Sequence, residues 1–125
     1  MYWISDDNVT WSKAVEACRN LYNNGHLVHI DNEEENDEVK AILVQANIRY
    51  GLIWIGIHDS VKEGVWTYED GSRLTYVNWR NGEPNGGIVH GDEDCAVITK
   101  GGDYIDVNCE KWKFHFCCEY YVVIE

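Results

Sequence analysis

The chain has 125 residues, 45% of them hydrophobic and 26% charged, which suffices for one domain with a buried core and is too short for two. Ten Lys and Arg against 22 Asp and Glu give a formal net charge of −12. A surface of that sign repels phosphate backbones and anionic headgroups, which excludes nucleic acid and charged membrane surfaces as partners. The longest uncharged apolar stretch, 51–58, is too short to insert across a bilayer. No basic segment followed by an apolar run marks a leader, so any leader is expected to have been removed. Six Trp and eight Tyr accompany only two Phe. Such rings are expected where one end is buried and the other meets a polar partner.

No internal repeat and no Pro/Ser/Gly-rich linker divides the sequence, so residues 1–125 read as one domain. The terminal segments 2–4 and 120–124 are strand-like and are expected to pair with each other. Thr10 is placed to cap a helix whose apolar face is Trp11, Ala14, Val15, Ala17, Cys18 and Leu21/Tyr22, closed by Asn24-Gly25 as a left-handed cap. A short strand follows at 27–30. Asp31 and Glu34 then form a variant capping box for a second helix reaching Gln45, with Val39, Ile42, Leu43 and Ala46 inward. Its opening carries six carboxylates in eight residues, which complement the helix dipole and face water. After Gly51 the period becomes strand-like: 53–57 is a buried strand paired with 65–68 across a polar turn. A long loop with four glycines and the chain's single proline fills 78–94, and loops of that length in small domains carry function. Strand character returns at 95–98, 103–109 and 113–121. Two helices followed by short strands give an α+β fold.

Cysteines stand at 18, 95, 109, 117 and 118 with no Cys-x-x-Cys among them, the usage of a secreted, disulfide-bonded protein rather than of a redox or zinc pair. The sequon Asn8-Val9-Thr10 accords with secretion. Strand alternation puts Phe114, Phe116 and Cys118 on one face, and Lys113, His115, Cys117 and Glu119 on the other. The apolar set is the core side, so Cys118 meets Cys18 and Cys117 points outward. Cys95 then pairs with Cys109. Closing a loop of about a hundred residues with Cys18–Cys118 stabilises the fold by about 4–5 kcal/mol on the chain-entropy model. Cys117 is left either as a free thiol or as a bridge between copies in a homo-oligomer.

The chemistry gathers in the loop. Glu83-Pro84-Asn85 flanks a proline with two oxygen donors, and a cis peptide there turns both side chains toward one point. Glu93 and Asp94 precede Cys95, and Asp106 lies three residues before Cys109, so a Cys95–Cys109 bond draws Glu93 and Asp106 to one side. Converging carboxylates and an amide oxygen describe a Ca²⁺ site, since calcium takes about six to eight oxygen ligands.

With these residues in hand, the sequence resembles a short-form C-type lectin domain over nearly its whole length. The shared landmarks are the 11–18 helix, Leu27-Val28 with its acidic second helix, Trp54-Ile55-Gly56, Trp79, Glu83-Pro84-Asn85, Glu93-Asp94-Cys95, Cys109 and Phe116-Cys117-Cys118-Glu119. The resemblance implies two helices, two small antiparallel sheets, a long calcium-binding loop, and the disulfides Cys18–Cys118 and Cys95–Cys109. Its Glu-Pro-Asn form implies mannose-type glycan partners, sugars with equatorial 3- and 4-hydroxyls. Glu83, Asn85, Glu93 and Asp106 would bind both calcium and carbohydrate. A second calcium site of some relatives maps to Asp59, Glu63 and Asp94, with Gly86 where those relatives place an acid.

One departure stands out. The sugar-binding members carry Trp-Asn-Asp where this chain has Tyr104-Ile105-Asp106. Tyr104 can replace a core Trp, whereas Ile105 supplies neither an amide oxygen to calcium nor an NH₂ to a hydroxyl, a loss of about 1.5–3 kcal/mol. The site survives this loss, weakened, and Ile105 is the best argument for the alternative, a calcium-independent lectin-like module binding a protein or, in rare relatives, ice. No enzyme is expected. Nothing buries one of Glu83, Glu93 and Asp106 apolarly as a glycosidase acid requires. His26 and His29, at strand spacing, are expected on opposite faces, which argues against a zinc pair. His58, His90 and His115 have no triad partners in sequence.

Overall fold

The computed structural model describes residues 1–21, 24–47, 51–84 and 94–121. β1 (Tyr2–Ile4) leads into α1 (Trp11–Arg19), followed by β2 (His26–Leu27) and α2 (Glu33–Gln45). Strands β3 (Leu52–His58), β4 (Thr67–Tyr68), β5 (Cys95–Thr99), β6 (Tyr104–Val107) and β7 (His115–Glu119) complete the domain. Both helices stand where the apolar periodicity places them. α1 buries Trp11, Ala14, Val15 and Cys18, but it stops at Arg19, ahead of Asn24-Gly25. Those two residues make a separate turn, with Asn24 at φ 65°. A Cβ on Gly25 would stand 2.2 Å from the Cys18 carbonyl oxygen, so only glycine lets the chain fold back over the end of α1.

α2 is capped one residue later than expected. Asn32 accepts from the Glu35 amide at 2.8 Å, and the Glu35 carboxylate accepts from the Asp31 amide at 3.2 Å. Asn36, Val39 and Leu43 are buried, whereas Ala46 lies in the exposed C-terminal cap.

The strands run in the order β1-β7-β3-β5-β6, with β2 also on β7 and β4 on β3. Two antiparallel groups are joined by the parallel β3–β7 pair, Ile53 opposite His115 and Trp54 opposite Phe116, so the sheet is mixed. β1 pairs with β7, Tyr2 opposite Glu119 and Ile4 opposite Cys117, and the terminal segments stay joined beyond it, where the Tyr120 amide donates to the Met1 carbonyl at 3.0 Å. Residues 122–125 lie outside the described residues.

Alternation on β3 splits the core in two. Ile53, Ile55 and Ile57 pack with Val39 and Leu43 of α2, and Trp54 packs with Trp11, Val15 and Phe116 beneath α1. The rings behave as amphipathic filler should. Trp11 Nε1 donates to the Ile55 carbonyl at 3.0 Å, Trp54 Nε1 to the Val9 carbonyl at 2.7 Å, and the Tyr104 hydroxyl to Asn36 Oδ1 at 2.6 Å.

Both disulfides form, Cys18–Cys118 with Cα atoms 5.4 Å apart and Cys95–Cys109 with Cα atoms 5.2 Å apart. Cys118 faces α1, as alternation requires. Cys117 corrects the expectation. It faces away from α1, but that side is also covered, so it sits fully buried in the α2-side core with Ile55 and Leu43. Its thiol is free, and burial pushes its pKa up to about 12. A side chain without exposed surface cannot bridge two copies of the folded chain. Among the described residues no helix is long and apolar enough to cross a membrane.

Candidate functional site

Asp59 follows β3 directly, and its amide donates to the Asp94 carbonyl at 2.9 Å, joining the end of β3 to the residue before β5. Asp59 Oδ2 accepts from the Gly64 amide at 2.9 Å and closes the polar turn; Gly64 adopts φ 84°, a conformation that favours glycine. Glu63 sits within that turn. One carboxylate oxygen each from Asp59, Glu63 and Asp94 lies within 4.8 Å of the others.

Asp59 is 4% exposed, and its Oδ1 is buried without a hydrogen-bond donor. Burial raises the Asp59 pKa from its ordinary value, Glu63 and Asp106 push the same way, and the Gly64 amide and Asp94 oppose them. A buried anionic oxygen lacking a donor, beside two further carboxylates, is a defect that a hard divalent cation repairs. These residues fit Ca²⁺.

The Glu83-Pro84 peptide is cis, as expected from the motif. The preceding segment is laced to β6: Tyr104 N donates to the Asn78 carbonyl at 2.8 Å, Arg80 N to the Tyr104 carbonyl at 2.9 Å, and Glu83 N to the Arg80 carbonyl at 2.8 Å. Asp106, 2% exposed, lies opposite Ala96 on the β5–β6 ladder, and its charge reaches Asp59. Asn85, Gly86, His90 and Glu93 lie outside the described residues. Tyr104 fills its core position with 1% exposure. Ile105, with Val107, packs on the α1-side cluster, away from the α2-side core that holds Tyr104. His58 is held in the core, its ring 4.9 Å from that of Trp11, and burial lowers its pKa.

One constellation reverses the sequence reading. His26 and His29 do not diverge; their ring centroids are 4.1 Å apart. Alternation fails because β2 ends at Leu27, so His29 lies beyond the strand. One donor atom from each imidazole and one from Glu69 fall within 4.8 Å of one another. Glu69, brought alongside by β4, carried no signal in the sequence.

Residues 7–120 match the family model of the Lectin C-type domain. The chain is 34% identical to human C-type lectin domain family 17, member A, over 116 residues, which are 93% of this chain and 28% of that protein. It is 34% identical to a lectin of Pleurodeles waltl over 113 residues, 89% of this chain and 64% of that one. It therefore spans only part of these relatives. Among solved structures, the mouse scavenger receptor C-type lectin carbohydrate-recognition domain superposes with a TM-score of 0.80 at 33% identity, covering 94% of this chain and 86% of that one. The cow CD23 C-type carbohydrate-recognition domain, solved in the presence of a GlcNAc2Man3 oligosaccharide, gives 0.81 at 29% identity, covering 98% and 88%. A calcium-independent type II antifreeze protein gives 0.78 at 25% identity, covering 94% and 82%.

Proposed function

The chain belongs to the C-type lectin domain family, and on that premise we propose that it is a secreted, calcium-dependent carbohydrate-binding module for mannose-type glycans, with no catalytic role. The observation that carries this reading is the Asp59–Glu63–Asp94 cluster with its buried, donorless Asp59 oxygen. These three residues would hold one ion. Glu83, Asn85, Glu93 and Asp106 would hold a second, with water or sugar oxygens completing its shell. Bound calcium supplies direct coordination of a vicinal diol. The residues of the chain fix the orientation of that diol, with Glu83 and Glu93 accepting from the hydroxyls and the Asn85 amide donating to them.

A contact this small gives an affinity of about millimolar for a monosaccharide, so useful binding needs several sites displayed together. The two relatives solved as carbohydrate-recognition domains support the ligand class, and the paired disulfides support an oxidising compartment. Retention on a mannan resin in calcium and release by a chelator tests the reading. Passage of the folded protein through the column in saturating calcium would refute it.

Two observations favour the second reading, a calcium-independent module for a protein or ice surface. The Ile105 side chain is spent on core packing, and the antifreeze relative is itself calcium-independent. Chelator-insensitive binding to such a surface, with no response to mannose, would select it.

A further inference from the structure

We propose that His26, His29 and Glu69 form a transition-metal site of the zinc class, with three protein ligands and a fourth position open to solvent. The geometry leaves donor atoms available on these residues. His26 Nδ1 lies 2.8 Å from the Leu27 carbonyl oxygen; a carbonyl only accepts, so that nitrogen carries the proton and Nε2 keeps its lone pair. A backbone carbonyl holding the far nitrogen is the usual support for a metal-binding imidazole. His29 Nε2 and Glu69 Oε2 are both buried without a hydrogen-bond partner.

The site is also held from behind. The His29 ring stacks on Tyr68 with centroids 3.9 Å apart and planes at 19°, and the His29 amide donates to Glu119 Oε1 at 3.3 Å. The Glu69 amide donates to the Gly56 carbonyl at 3.0 Å. A Cβ on Gly56 would stand 2.9 Å from the Leu27 carbonyl oxygen and 3.2 Å from His29 Cδ2, so the absent side chain at 56 is what lets this segment close on β3.

Two imidazoles and one carboxylate suit Zn²⁺ and not Ca²⁺, which prefers oxygen. Ligands about 2.0–2.1 Å from a tetrahedral zinc stand roughly 3.3 Å apart, so donors within 4.8 Å need only small side-chain rotations to converge. The cluster opens into a pocket of about 320 Å³ with Arg19 and Asp70 in its lining. Asp70 Oδ1 is engaged by the Ser72 amide and hydroxyl, and the fourth position opens to water or a small anion beside Arg19.

The test is calorimetric titration of the metal-stripped full chain with ZnCl₂ in saturating calcium, which separates this site from the oxygen-donor cluster. One equivalent should bind. His26→Ala and Glu69→Gln should each weaken it by more than the 10- to 100-fold that loss of a supporting outer residue costs, with mannan retention unchanged from the parent. Absence of zinc binding, or equal affinity in the parent and both variants, would overturn the proposal. If either variant fails to fold, X-ray absorption on the zinc-loaded parent decides: two imidazoles plus oxygen ligands support the site, and any other number of imidazoles refutes it.

Discussion

Replacing Asp59 by Asn should change stability in opposite directions with and without calcium. In the metal-free chain Asp59 Oδ1 is buried with no donor, while Oδ2 accepts from the Gly64 amide. Asparagine keeps that acceptor and sets an NH₂ where the donorless oxygen was, beside Glu63 and Asp94, which can accept from it. Relieving one unsatisfied buried polar atom is worth about 1–2 kcal/mol, a rise in Tm of about 4–8 °C for a domain of this size. With calcium at about 100 times its Kd, the parent gains about 2.7 kcal/mol from binding, and the variant forfeits most of that with its central ligand. Thermal melts in zinc-free EGTA and in calcium should therefore show the variant above the parent in the first buffer and below it in the second. A variant less stable in both buffers, or one that keeps the full calcium increment, would refute the assignment of this cluster as a cation site.

Other expectations follow from single contacts. Tyr104→Phe removes the donor on buried Asn36 Oδ1 and should cost about 1–3 kcal/mol in urea denaturation; a loss under about 0.5 kcal/mol would mean that water satisfies Asn36 in its place. Cys117, fully buried, should resist alkylation in the native chain and yield one reactive thiol on unfolding without reductant; labelling at the denatured rate would contradict its burial. The Thr99 hydroxyl, aided by Arg80, lowers the Asp103 pKa. The stability it contributes is present above the unfolded value of 3.8 and is lost as pH falls through the native one. Asp103→Asn should flatten the acid limb of the stability profile, and an unchanged limb would count against the contact. Ile105→Asn should raise calcium and mannan affinity by about tenfold or more, the worth of one charge-assisted hydrogen bond, while lowering Tm in EGTA because Ile105 packs beneath α1; unchanged or weaker binding with the fold intact would place the site elsewhere.

What the sequence disclosed and what it concealed divide along a physical line. Patterns local to one element were legible: the apolar stripe of α1, the acidic opening of α2, and the alternation that sends Cys118 to Cys18. The burial of Cys117 was not, because alternation assigns a residue to a face without saying what covers that face, and here α2 covers it. The histidine pair was misread for a related reason. Period-two reasoning needs a strand that lasts, and β2 lasts two residues. Glu69 was invisible because its meeting with His29 depends on β3–β4 pairing and on the close approach at Gly56. Around the acidic loop the Glu83-Pro84 bond is cis and Asp59, Glu63 and Asp94 stand together.

β3 links these observations. Its alternating side chains divide the core, with Ile53, Ile55 and Ile57 toward α2 and Trp54 toward α1. Where it drops its side chain, at Gly56, the backbone admits His29 and bonds Glu69. Immediately past its end stands Asp59, whose amide ties it to Asp94. The oxygen cluster and the nitrogen-containing cluster are therefore both built on short polar segments whose positions are set by one buried strand. Such an arrangement tolerates burying Asp59 and Glu69 without full hydrogen bonding, because Ile53, Ile55 and Trp54 stabilise the strand independently of either site. It also predicts where tolerance ends: Gly56→Ala, whose Cβ meets two backbone carbonyl oxygens at 2.9 and 3.1 Å, should push 27–29 off β3 and lower zinc affinity together with Tm. A variant with both unchanged would show that the close approach is not what holds His29 in place.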